Sequence, residues 1–182
     1  MLKRWLLLFS LGFWGNAFAD NFVDVCRAYG CVAQDKVGFT DAELSNLGAE
    51  LRQAGSPKEE RAIVANVIGK MYQIAGRQSL IRFDRAGNYF DDHPSGKTYC
   101  IDHSQTTTRF LRLLESHGYL HWHRVLDPVV RKAFYIFDHF SAAIETNEGE
   151  QIFVVDSWFV EQGESALVFP LKEWMQGAGP DV

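Results

Sequence analysis

Apolar residues recur every three or four positions through much of the first half of the chain and gather into short, dense runs in the second. Leu44, Leu47 and Leu51 predict a helix opened by Thr40, an N-cap whose partner Glu43 lies three residues on. Gly55 stops it. Ser56-Pro57 with Glu59 and Glu60 opens a second helix, with proline in the first helical position. Its inner face carries Ile63, Val67, Met71 and Ile74 as far as Gly76. Arg85-Ala86-Gly87-Asn88 reads as a turn, and His93 to Lys97 as a loop leading into Tyr99-Cys100. A third helix runs from Cys100 to about His117, with Gly118 at its end. Thr107, Leu111 and Leu114 fall near the angular position of Cys100, which turns the thiol toward the packed side.

Beyond Gly118 the period changes. Tyr119 to Val125 reads as extended, and Asp127-Pro128 as a turn. Phe134 to Ile144 and Gln151 to Phe159 then predict two strands rich in aromatic and β-branched residues. Thr146-Asn147-Glu148-Gly149 joins them as a hairpin. If residue 145 faces residue 150, His139 faces Asp156 directly, with Cβ atoms roughly 4.5–5.5 Å apart. A shift that pairs 141 with 156 leaves them diagonal and still within reach. The expected fold class is α+β, with helices of the N-terminal half packed on an antiparallel sheet from the C-terminal half. The chain shows no repeats or charge runs that would mark a second domain.

The first residues add an address. Lys3 and Arg4 precede an apolar run from Trp5 to Trp14, and Ala17-Phe18-Ala19 offers small residues for cleavage, so residues 1–19 read as a signal peptide. The apolar run is shorter than the roughly 20 residues of a permanent span. A single domain over 20–182, placed in the periplasm or secreted, is expected. Without Lys3 and Arg4 it carries 16 basic and 23 acidic residues, a balance of −7. That charge, with no basic stripe, argues against nucleic acid or an anionic membrane surface as partner.

Three cysteines in an oxidising compartment leave one over. Cys26 and Cys31, with Gly30 between them, are the natural disulfide, tying down an otherwise loose N-terminus and leaving Cys100 as a free thiol. Pairing of Cys100 with either of the others stays open at this point. As a free thiol, Cys100 sits where chemistry favours a nucleophile. A helix N-terminus and a neighbouring imidazolium both lower a thiol's pKa. His139 would supply the imidazolium and deliver a proton to a leaving amine, and Asp156 would orient and stabilise it. The Cys100 N–H is one candidate oxyanion donor. Tyr99, Tyr89 and Asn88 are candidates for the second.

The segment Gly96-Lys97-Thr98-Tyr99-Cys100-Ile101-Asp102, followed by Leu113-Leu114 and Gly118, resembles the cysteine-bearing helix of transglutaminase-like proteins. His139-Phe140 and Phe153-Val154-Val155-Asp156-Ser157-Trp158 resemble the histidine and aspartate strands of that superfamily, in the same order. The resemblance covers about Lys97 to Phe159 and is similar in scale to bacterial transglutaminase-like cysteine peptidases. It implies a papain-like core and a Cys100, His139, Asp156 triad acting on amide bonds of a protein or peptide outside the cytoplasm. No cofactor is implied.

Other residues compete for these roles. Asp102 reads as a helix-dipole partner and His103 as support behind the site, one turn from Cys100. His121 and His123, two apart on a strand, would share a face and could hold a metal for a hydrolase, with His93, His117 or a carboxylate as third ligand. A non-catalytic binding domain of the same fold is the other reading. Phe134, Tyr135, Phe137, Phe140, Phe153, Trp158 and Phe159 read as core and groove lining.

Overall fold

The protein is described here from a computed structural model covering residues 21–87, 97–133, 137–149 and 151–180. Residues 1–19, read as a signal peptide, lie outside the described residues, as do Asn88, Tyr89, His93, Phe134 and Tyr135. The described chain begins with an antiparallel hairpin, β1 (Phe22–Arg27) and β2 (Ala33–Gly38). The segment 22–38 is therefore ordered as a ribbon, not loose chain held by a disulfide alone. Val23, Val25 and Val37 provide the reason: they point inward and join the main core.

Helix α1 (Asp41–Leu51) starts as its pattern predicts, with reciprocal Thr40 and Glu43 hydrogen bonds forming a capping box. Helix α2 (Pro57–Gln78) follows, capped by Ser56, and continues two residues past Gly76. Gly69 in its middle is needed for a close approach: a Cβ there would lie 2.5 Å from the Glu164 carbonyl oxygen. A short 3₁₀ helix, Leu80–Phe83, ends at Asp84. Helix α3 (Cys100–Ser116) has the predicted length, and Gly118 closes it at φ +68°.

The C-terminal half is an antiparallel sheet of β3 (His123–Val125), β4 (Val129–Ala133), β5 (Phe137–Thr146), β6 (Ile152–Asp156) and β7 (Leu167–Pro170), followed by α4 (Leu171–Met175). β5 is the axis: β4 pairs with its first half, β3 and β6 with its second. Its Ala142 and Ile144 join Phe153 and Val155 of β6 and Phe110, Leu111 and Leu114 of α3 in one core with α1, α2 and the hairpin. The architecture is thus a mix of helices and antiparallel sheets, as expected for an α+β chain. Among the described residues no helix is long and apolar enough to cross a membrane.

The β5–β6 register differs from the first expectation by two residues. Ala142 faces Val155 and Glu145 faces Ile152, so His139 and Asp156 are diagonal, not directly opposed. The turn explains it. Thr146 N–H bonds the Gln151 carbonyl, Gln151 N–H bonds the Thr146 hydroxyl, and Gly149 N–H closes back on the Thr146 carbonyl. Residue 146 therefore faces 151, and a two-residue shift keeps every side chain on its original face.

Candidate active site

Cys100 is the first residue of α3, and the first helical bond runs from His103 N–H to the Tyr99 carbonyl. The N–H groups of Cys100, Ile101 and Asp102 consequently have no partner within the helix, and their positive end faces the sulfur's surroundings. The thiol is free, since Cys26 pairs with Cys31. It is only 6 % exposed and donates to the Asp138 carbonyl at 3.7 Å. It packs with Trp158 and Phe159.

That contact brings the sulfur beside the next residue of β5. His139 is buried, with Nε2 2.7 Å from Asp156 Oδ2. Its Nδ1 makes no hydrogen bond of good geometry among the described residues, while Cys100 is close enough to raise the imidazole's pKa. The structure thus brings together Cys100, His139 and Asp156. Asp156 is itself held by two further donors: Trp158 N–H to Oδ1 at 3.2 Å and Trp174 Nε1–H to Oδ2 at 3.1 Å. Trp158, Phe159 and Trp174 surround the imidazole with ring centroids 4.8–5.5 Å away.

Trp174 belongs to α4, beyond the stretch that carried the sequence argument. Arg131 of β4 anchors it by donating to the carbonyls of Trp174 and Ala178 and lying over the indole. No local pattern announces this role; an indole N–H four residues into a short C-terminal helix gives no hint of a distant carboxylate.

Burial alone would push His139 down. The Asp156 hydrogen bond, with Cys100 adding to it, reverses that and raises the imidazole from 6.5 to about 9. His139 is therefore an imidazolium at neutral pH, its Nε2 proton on Asp156 and its Nδ1 proton available on the other side. A raised imidazole value stabilises the fold fully below about 6.5, and that contribution fades as pH rises through about 9. Two observations are expected: an NMR titration of the His139 ring near pH 9, and urea stability that declines between about pH 7 and pH 9.5. In Asp156→Asn the ring titration falls, because burial meets less opposition.

The remaining candidates separate cleanly. Asp102 does more than favour the helix dipole. Buried, it accepts from the N–H groups of Tyr29 (2.9 Å), Cys31 (2.7 Å) and Tyr99 (3.1 Å). It thereby fastens the disulfide-closed tip of the hairpin to the head of α3. That tip is a run of left-handed residues, Ala28, Tyr29, Gly30 and Cys31, with φ between 60° and 69°.

His121 and His123 do not share a strand face. β3 begins at His123, and His121 lies exposed before it. Both ring nitrogens of His123 are engaged, Nδ1 with Glu60 Oε2 at 2.7 Å and Nε2 with Arg61 at 3.2 Å. Glu60 is fully buried and also accepts from the N–H groups of His121 and Trp122. The pair is a structural clasp between α2 and the start of β3. Among the described residues no three His, Cys, Asp or Glu side chains cluster as metal ligands. Of the oxyanion candidates, Asn88 and Tyr89 lie outside the described residues, and Tyr99 N–H is committed to Asp102.

Comparison with known proteins finds no matching family model, no matching curated protein and no matching solved structure.

Proposed function

We propose that the protein is an exported thiol-dependent enzyme that hydrolyses amide bonds of a protein or peptide, on a papain-like, transglutaminase-like core. The observation that carries this reading is the setting of His139: Nε2 is committed to Asp156, and Cys100, whose thiol donates to the carbonyl of the preceding residue Asp138, lies close enough to raise the pKa of the same imidazole. The structural histidine His123 has both ring nitrogens engaged, whereas His139 leaves Nδ1 without a hydrogen bond among the described residues, as proton transfer at sulfur requires.

In this mechanism the Cys100 thiolate attacks the carbonyl carbon and an S–C bond forms. The tetrahedral oxyanion faces the head of α3, where the Cys100 N–H is one donor. His139 then gives its Nδ1 proton to the amine nitrogen as the C–N bond breaks, leaving a thioester on Cys100. Water loses a proton to Nδ1 and attacks the thioester, releasing a carboxylic acid and the thiolate, which the imidazolium again accompanies. Asp156 keeps the Nε2 proton throughout and holds the ring's orientation.

Alkylation of the folded, disulfide-bonded protein with iodoacetamide tests the reading, since Cys100 is its free thiol. Reactivity is expected to persist well below pH 7. A profile rising only near the ordinary thiol value of about 8.5 would remove the enzyme and favour a binding domain.

A further inference from the structure

Behind the site lies a second buried polar cluster that the mechanism does not use. His103 sits one turn along α3 from Cys100 and is almost fully enclosed. Its Nε2 meets Asp84 Oδ2 at 2.7 Å and Thr98 Oγ1 at 2.8 Å, and its Nδ1 meets Ser157 Oγ at 2.8 Å. Asp84 also accepts from Thr98 N–H at 2.9 Å. Ser157 Oγ reaches Thr107 Oγ1 at 2.8 Å and the Tyr72 hydroxyl at 3.2 Å. The Tyr72 ring stacks on the His103 ring, with centroids 5.4 Å apart.

Two ends of this cluster coincide with two parts of the site. Thr98 lies two residues before Cys100, and His103 is on the turn that follows it. Ser157 stands between Asp156, which holds His139, and Trp158, which packs on it. The cluster therefore joins the sulfur-bearing end of one element to the carboxylate-bearing end of another. We infer that His103, braced by Asp84 and bonded to Ser157, is a positioning residue that sets the distance between Cys100 and the His139–Asp156 pair. This inference rests on the function proposed above.

The chemistry of the cluster supports the assignment. Burying this many polar groups is costly unless each is satisfied, and apolar packing would serve stability as well. A satisfied network instead fixes one geometry, and sulfur, imidazole and carboxylate must hold theirs within a fraction of an ångström. Burial would push Asp84 up, but the bonds from His103 and Thr98 outweigh it and hold the carboxyl below its ordinary value, so it stays ionised beside the ring. Other groups facing His103 are the hydroxyls of Thr98, Ser157 and Tyr72. The order Ser157, His103, Asp84 is also that of a serine nucleophile, its base and a carboxylate. Ser157 is not used that way, because Thr107 and Tyr72 close over its hydroxyl.

The test is the pH profile of Cys100 alkylation by iodoacetamide in the full, disulfide-bonded chain, for the parent, His103→Gln, Ser157→Ala and Leu44→Ala. His103→Gln and Ser157→Ala are expected to move the inflection toward about 8.5 and to slow the reaction around pH 6 by about tenfold. Leu44→Ala, a core change in α1 outside the cluster, should lower the unfolding midpoint and keep the parent profile. Parent-like profiles in folded His103→Gln and Ser157→Ala overturn the inference alone. Should His103→Gln fail to fold, Ser157→Ala decides it. An ordinary thiol in the parent removes the proposed function, and the positioning role falls with it.

Discussion

In His139→Ala, Cys100 is expected to lose on the order of 100-fold in alkylation rate around pH 6. The estimate follows from the state of the sulfur. In the proposed ion pair a neighbouring imidazolium favours the ionised sulfur, whereas an ordinary thiol near 8.5 is ionised to well under 1 % at that pH. A lower pKa also makes each thiolate a weaker nucleophile, which takes back part of the gain. Asp156→Asn should fall between parent and His139→Ala, since the ring keeps its place among Trp158, Phe159 and Trp174 but loses the carboxylate that keeps it protonated. Iodoacetamide is small and uncharged, so the ratio reports ionisation and not substrate fit. A loss below about threefold would show that the sulfur does not depend on the imidazole.

Asp102→Ala is expected to cost about 3 kcal/mol of folding stability, read as a lower urea midpoint with unchanged slope. Three backbone N–H groups lose a charged acceptor. Two of them, on Tyr29 and Cys31, belong to a turn whose non-glycine residues Ala28, Tyr29 and Cys31 occupy a conformation costing roughly 1–2 kcal/mol each. The carboxylate and the Cys26–Cys31 bond hold the same turn. Their effects should therefore overlap: after reduction, the Asp102→Ala penalty shrinks to well under half. Equal penalties before and after reduction would mean that the two act on separate parts of the fold.

How far the chain can be read without coordinates depends on the range of the interaction concerned. Thr40 with Glu43, Ser56 with Pro57, and Gly118 are local signals, and α1, α2 and α3 begin or end where these residues place them. That Cys100, His139 and Asp156 come together is legible because each stands on an element with a clear period, and either hairpin register keeps His139 and Asp156 on one face. The β5–β6 register was harder, because one hydroxyl, that of Thr146, helps decide which residues of the turn pair. The hairpin of β1 and β2 was missed because Asp24, Asp35 and Lys36 interrupt its apolar positions and only three valines reach the core. Least legible were the buried polar partners. Asp84 with His103, Glu60 with His123, and Trp174 with Asp156 each join elements distant in sequence, and no period encodes such a match.

The head of α3 is moored on several sides: by Asp102 and Thr106 to the first hairpin, by His103 to Asp84, and by Thr107 to the end of β6. A segment tied to so many neighbours cannot fray by itself. Its opening must coincide with the loss of the whole fold, so the helical amides around His103 and Thr107 should exchange with solvent deuterium only through global unfolding. An added protease would then meet the helix that carries Cys100 as the last part of the molecule to become digestible.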